Sequence, residues 1–204
     1  MYVGADLSHI GSGSTHQVSA VAVVASADDV PNRYFKEVYK QERPGLARGK
    51  SRELIVDLRE IMKSLISQYE THRGAPPNAI VFYRDGISTS EFDSVFENEL
   101  TSIREACTDL SAAYQPYVTY IVVNKRHHTR FFPTNFDGNV PAGTVVDSSQ
   151  LTNPLTYDFF LNSHHGPLVA VFLNDRSSIL SHCLSLLREL VDRRTITSCT
   201  MTII

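Results

Sequence analysis

Asp6 and Asp85 are the residues whose type and setting could do chemistry. Asp6 follows the apolar run Tyr2 to Ala5, and Asp85 follows Ala79 to Tyr83 and Arg84. Aspartate is a poor strand former, so one at the end of each of two strand-like runs needs a reason. Two carboxylates held side by side repel each other unless a proton or a cation lies between them. Oxygen-only ligands select Mg²⁺ or Mn²⁺ over zinc. Two such ions about 4 Å apart can activate a water and stabilise the leaving oxygen of a phosphodiester. Glu53 is a candidate third acid. Residue type alone leaves alternatives open: Asp also serves turns and caps, and a Glu in a first helical turn complements the helix dipole.

A second feature is Asn124 to Arg130, where Lys125, Arg126 and Arg130 stand with His127 and His128. No acid occurs from Leu110 to Phe136, so the cluster is locally basic. Such a cluster suits phosphates, although a charge run can equally be a solvated loop. His9 lies three residues after Asp6 and is a candidate for orienting a metal-bound water, or a plain turn histidine. His164 and His165 are adjacent but have no third ligand nearby, so no zinc site is read there. Gly11, Ser12 and Gly13 lack the Gly-Lys-Ser/Thr that would make a phosphate-binding loop.

Certain elements must position these residues. Tyr2 to Leu7, Val18 to Ser26 and Arg33 to Gln41 read as three strands joined by turns, an antiparallel meander. From Ser51 the period changes. Leu54, Ile55, Leu58, Ile61, Met62, Leu65, Ile66 and Tyr69 recur at helical steps, and His72 to Asn78 ends the run. Ala79 to Tyr83 is a fourth strand. Ser88 and Glu91 have capping-box spacing before a second helix that carries Phe92, Val95, Phe96, Leu100, Ile103, Cys107 and Leu110. Tyr117 to Val123 is a fifth strand. The order βββαβαβ predicts an α/β fold with a mixed five-stranded sheet flanked by helices. A right-handed crossover would set the first and fourth strands side by side and parallel. Asp6 and Asp85 would then be neighbours at their carboxyl ends, where open α/β sheets bind ligands.

Composition narrows the class. The chain has 204 residues, 42% hydrophobic and 20% charged, which suits a folded domain rather than a disordered one. Its net charge of −3 argues by itself against a polybasic nucleic-acid binder. Three cysteines without a CxxC make neither a disulfide framework nor a structural zinc site. The start lacks a leader pattern and no apolar run spans a bilayer, so no membrane partner is expected.

Three blocks resemble the PIWI domain of eukaryotic Argonaute proteins: residues 2–9 (YVGADLSH), 82–86 (FYRDG) and 125–130 (KRHHTR). So do residues 100–107 (LTSIREAC), 114–116 (YQP), 141–147 (PAGTVVD) and 158–166 (DFFLNSHHG), all in family order. The resemblance implies an RNase H-like fold that binds a small guide RNA and a complementary target RNA and can cleave the target. It implies Asp6 and Asp85 as metal-binding aspartates for Mg²⁺ or Mn²⁺, and Glu53 as the glutamate that completes the catalytic site on closure. It implies Lys125, Arg126, His127, His128 and Arg130 as guide-backbone contacts, with Ser163 and His164 as a second contact. Recognition of A-form RNA by shape and backbone suits such a groove. The resemblance further implies work in RNA silencing, in the cytoplasm or also the nucleus, alongside other silencing proteins.

After Gly166 the resemblance stops. The expected domain is residues 1–166, C-terminally incomplete, followed by a non-family tail over 167–204. The family would continue with a Thr-Ser-Arg-Pro block and a histidine that is its fourth catalytic residue. By pattern, Leu168 to Leu173 is strand-like and Ile179 to Val191 is helix-like. Codons permitted for Arg188 to Ile204, read one base out of register, spell Gly-Thr-Ser-Arg-Pro-Ser-His and continue to Asp-Asp-Asn. That resembles the missing block. Residues 167 to about 187 are then expected to be retained intron, and 189–204 an exon read out of frame. Without the histidine, cleavage by this chain is in doubt. The alternative is an inactive nucleic-acid-binding module or a truncated product.

Overall fold

β-Branched and alternating runs become strands where the sequence places them. The computed structural model describes residues 1–9, 18–30, 32–42, 53–88, 90–124, 127–134, 140–148, 157–162 and 199–203. In chain order these form β1 (Tyr2–His9), β2 (Val18–Ser26), β3 (Tyr34–Glu42), α1 (Leu58–Arg73), β4 (Ala79–Asp85) and α2 (Phe92–Leu110). Then come β5 (Tyr117–Asn124), β6 (Val145–Val146), β7 (Tyr157–Leu161) and β8 (Cys199–Ile203). Among the described residues the sheet runs β3-β2-β1-β4-β5-β8-β7-β6.

The five expected strands are all present, in the order β3-β2-β1-β4-β5. The first three are antiparallel, and β4 runs parallel to both β1 and β5. The sheet continues past β5 through three antiparallel pairings that the periodicity did not reveal. β6 is only two residues long, too short to carry a pattern. β8 belongs to the tail, yet it lies between β5 and β7. The strand and helix expected at Leu168 to Leu173 and Ile179 to Val191 lie outside the described residues.

Alternate side chains leave a strand on opposite faces. Val3, Ala5, Val23, Ile80, Phe82, Tyr120 and Val122 turn to one face and pack with Ile61, Leu65, Ile66, Val95 and Ile103 of the two helices. This is the main core, and each fully buried aliphatic side chain in it contributes about 1.5–3 kcal/mol. Ala22, Val24, Tyr83, Ile121 and Val123 form a smaller cluster on the other face. Phe82 stacks on Tyr120 with ring centroids 5.2 Å apart, tying β4 to β5.

Two local expectations are corrected. The apolar period begins at Leu54, but α1 begins at Leu58. The preceding backbone is claimed by side chains instead. Gln41 Nε2 donates to the Leu54 carbonyl at 2.7 Å, and Val56 N–H donates to Gln41 Oε1 at 3.0 Å. Ile55 N–H donates to Glu99 Oε1 at 3.2 Å. Ser88 and Glu91 do not form a capping box either. Glu91 N–H donates to the Ser88 carbonyl and Ser88 Oγ donates to Glu91 Oε2, making a turn ahead of α2. α1 ends as its sequence requires. Gly74 takes φ +79° and its N–H caps the Glu70 carbonyl, and Pro76 and Pro77 follow.

Candidate active site

The parallel pairing of β1 with β4 matches Val3 to Phe82, Gly4 to Tyr83 and Ala5 to Arg84. One step further along both strands stand Asp6 and Asp85. In-register residues of a parallel pair share a face. Both aspartates therefore leave the sheet on the side away from the helices, at the carboxyl end of their strands. Asp85 is buried and Asp6 half-buried. Leu7 N–H donates to Asp6 Oδ1 at 2.8 Å, which orients that carboxylate. The chain turns away directly after Asp85. Gly86 adopts φ +78°, and its N–H donates to the Val123 carbonyl at 3.2 Å. An L-residue resists that left-handed conformation, which explains a glycine there.

Glu53 is half-buried in the turn before α1. Its backbone is joined to that of Asp85 through Arg84. Arg84 is fully buried on the helical face of β4. Its Nη1 donates to the Asp85 carbonyl at 2.6 Å, and its Nη2 makes a short hydrogen bond to the Glu53 carbonyl. Its Nε reaches Glu99 Oε1 at 3.3 Å. Burial opposes the charge on Arg84, but Glu99, Tyr120 and Glu53 outweigh it and raise its pKa above the ordinary value. Tyr120 donates to Glu99 Oε2 at 2.7 Å, and burial together with Glu99 keeps its phenol protonated far above its usual range.

Two aspartates with oxygen donors suit Mg²⁺, which is commonly held by one or two carboxylates plus water and substrate phosphates. Among the described residues, no group of three or more His, Cys, Asp and Glu side chains is placed to hold a metal ion. Glu53 therefore does not make a three-acid cage with Asp6 and Asp85 in this arrangement.

The expected RNA contacts are only partly described. Lys125, Arg126, Ser163 and His164 lie outside the described residues. His127, His128 and Arg130 follow the end of β5, the strand next to β4. His127 packs edge-on against Phe160 of β7, ring centroids 5.3 Å apart. His128 and Arg130 are exposed. Arg130 Nη1 donates to the carbonyls of His127 and Thr129, each at 3.1 Å.

Residue typing missed Glu99, Gln41 and Tyr120. A signal for Glu99 was present: it sits four residues from both Val95 and Ile103, inside the apolar stripe of α2. A carboxylate there must be paired or hydrogen-bonded. Nothing comparable marks Gln41, which stands between the polar residues Lys40 and Glu42 at the end of β3.

Comparison with known proteins agrees with this fold. The Piwi domain family model matches residues 1–169. The C-terminal lobe of a budding yeast Argonaute superposes with a TM-score of 0.70 at 24% identity, over 98% of this chain and 37% of that one. Drosophila Piwi gives 0.64 at 24% identity, over 99% and 23%. Kluyveromyces polysporus Argonaute with a guide RNA gives 0.68 at 22% identity, over 98% and 22%. The chain thus spans well under half the length of each of these structures. With more than half of its length matched by the family model, the chain belongs to the Piwi domain family.

Proposed function

We propose that this chain is the PIWI portion of an Argonaute, which binds a small guide RNA paired to target RNA and, in an intact form, cleaves the target. The observation that carries this is the placement of Asp6 and Asp85 at the same level of adjoining parallel strands, within a Piwi domain. A bound Mg²⁺ would supply Lewis-acid activation of water and of the scissile phosphate. The chain's own residues bind and orient. Asp6 and Asp85 would hold the cation, and the Leu7 amide keeps Asp6 aimed. Glu53 would order the site as the third acid. Lys125, Arg126, His127, His128 and Arg130, with Ser163 and His164, would bind the RNA backbone. A role in RNA silencing, in the cytoplasm or also the nucleus, follows from the same reading. Guide-loaded chain is to be assayed with Mg²⁺ beside Asp85→Ala; equal cleavage by both would remove Asp85 from the mechanism.

A second reading is favoured by the tail. The family match ends at residue 169, and by sequence the family's fourth catalytic residue is expected only in the shifted frame. Under this reading the chain binds RNA without cutting it, or is a product of retained intron and a shifted frame. Genomic and transcript sequence across codons 160–204 tests the frame. If no splice acceptor precedes codon 188, or the shifted frame is closed, the frame explanation fails.

A further inference from the structure

Glu99 is a fully buried carboxylate whose hydrogen bonds run to the framework of the site. Its Oε1 accepts both the Ile55 amide and Arg84 Nε, and its Oε2 accepts the Tyr120 hydroxyl. Arg84 in turn grips the carbonyls of Glu53 and Asp85. One planar guanidinium therefore sets the separation of the backbones that carry two of the three acids. Glu53 and Ile55, on either side of Leu54, are both tied to Glu99, the first through Arg84 and the second by its own amide. Stability alone is a weak reason for such a pair, because an apolar pair of similar volume usually serves a core as well. The hold on residues 53–55 is what an apolar pair could not supply.

We propose that Glu99 is a positioning residue that fixes the Glu53 carboxylate relative to Asp85, acting through Arg84 and the Ile55 amide. This rests on the reading of Asp6 and Asp85 as metal-binding acids whose site Glu53 completes. Glu99 does not meet the metal itself: it lies on the helical side of the sheet, opposite the face that carries the aspartates. Tyr120 holds its second oxygen, so its carboxylate presents Oε1 to the turn in one orientation.

The test uses the 204-residue chain with Mn²⁺ as the probe, measuring affinity by calorimetry and amide hydrogen exchange in parallel. Glu99→Gln is expected to raise exchange at residues 53–56 while Val21 to Val24 in β2 keep their protection. It is also expected to weaken Mn²⁺ binding about tenfold, as supporting hydrogen bonds around metal ligands commonly do. Glu53→Gln should weaken binding similarly, and the two substitutions together should weaken it no further, since they remove one interaction. Full additivity, or wild-type exchange at residues 53–56, would overturn the proposal. If Glu99→Gln fails to fold, the paired replacement Arg84→Met with Glu99→Leu leaves no buried charge. That pair is expected to fold but to lose the local protection, and retained protection there would overturn the proposal equally. Mn²⁺ binding indifferent to both Glu53→Gln and Asp85→Asn would overturn the metal reading itself, a result separate from the exchange measurement.

Discussion

Gln41 accepts the Val56 amide on its Oε1 at 3.0 Å, and the same side chain donates to the Leu54 carbonyl at 2.7 Å. A primary amide presents a donor and an acceptor as a peptide does, so Gln41 acts as one rung of a strand ladder. It holds the turn that contains Glu53 against β3.

Gln41→Ala should therefore destabilise the fold by about 2 kcal/mol, near 1 kcal/mol for each lost hydrogen bond. Water can replace the partner at the exposed Val56, which keeps the cost from rising further. Urea unfolding should show a lower midpoint with an unchanged slope. Exchange at Val56 should rise before that of α1.

Gly86→Ala should cost about 1–2 kcal/mol through backbone conformation alone. A Cβ at Gly86 meets no atom within 4 Å, so no clash contributes. Gly86→Asn should cost less, because asparagine tolerates the left-handed region better. Thermal unfolding of the three proteins would order them Gly, Asn, Ala. An Ala variant as stable as the wild type would show that the turn after Asp85 does not need φ +78°.

Burial pushes the Cys107 thiol up to about 11, from an ordinary value of 9.0. The thiolate is the nucleophile, so near pH 8 its reactive fraction falls about a hundredfold from this cause alone. Iodoacetamide labelling of the folded chain, read by peptide mapping, should leave Cys107 unmodified under conditions that label it fully in urea.

Hydrogen bonding from Arg59, then the charges of Arg59 and Lys63, hold the Asp109 carboxyl below its ordinary 3.8. Its folded pKa is thus lower than its unfolded one. The stability it contributes is complete above 3.8 and is lost as pH falls through the folded value. Asp28, lowered chiefly by its hydrogen bond to His72, acts in the same direction. Wild type and Asp109→Asn should differ in urea midpoint at pH 6 and converge as pH falls from 4 toward 2. The difference should shrink with added salt, because both partners are exposed.

Much of the fold was legible in the chain. Val18 to Ser26 forms β2 with the expected bounds, because a β-branched run of that length can bury both faces only as a strand. The stripe from Leu58 to Tyr69 defines α1, and the strand order alone made Asp6 and Asp85 neighbours. These are local or topological facts, carried by period and handedness. Apart from Arg84's bond to neighbouring Asp85, the bonds of Gln41, Arg84 and Glu99 were not legible, because their partners lie 13 to 44 residues away and a polar residue does not announce its partner. The start of α1 shows the difference. Leu54 and Ile55 continue the helical period, and a local rule extends the helix through them. Tertiary contacts decided otherwise, since Gln41 and Glu99 claim the backbone groups that a further helical turn would have used. The sequence by itself determined the family and the five strands that set Asp6 beside Asp85. Tertiary structure alone decided how the turn at Glu53 is held, because three distant elements must meet before the Arg84–Glu99 pair can reach it.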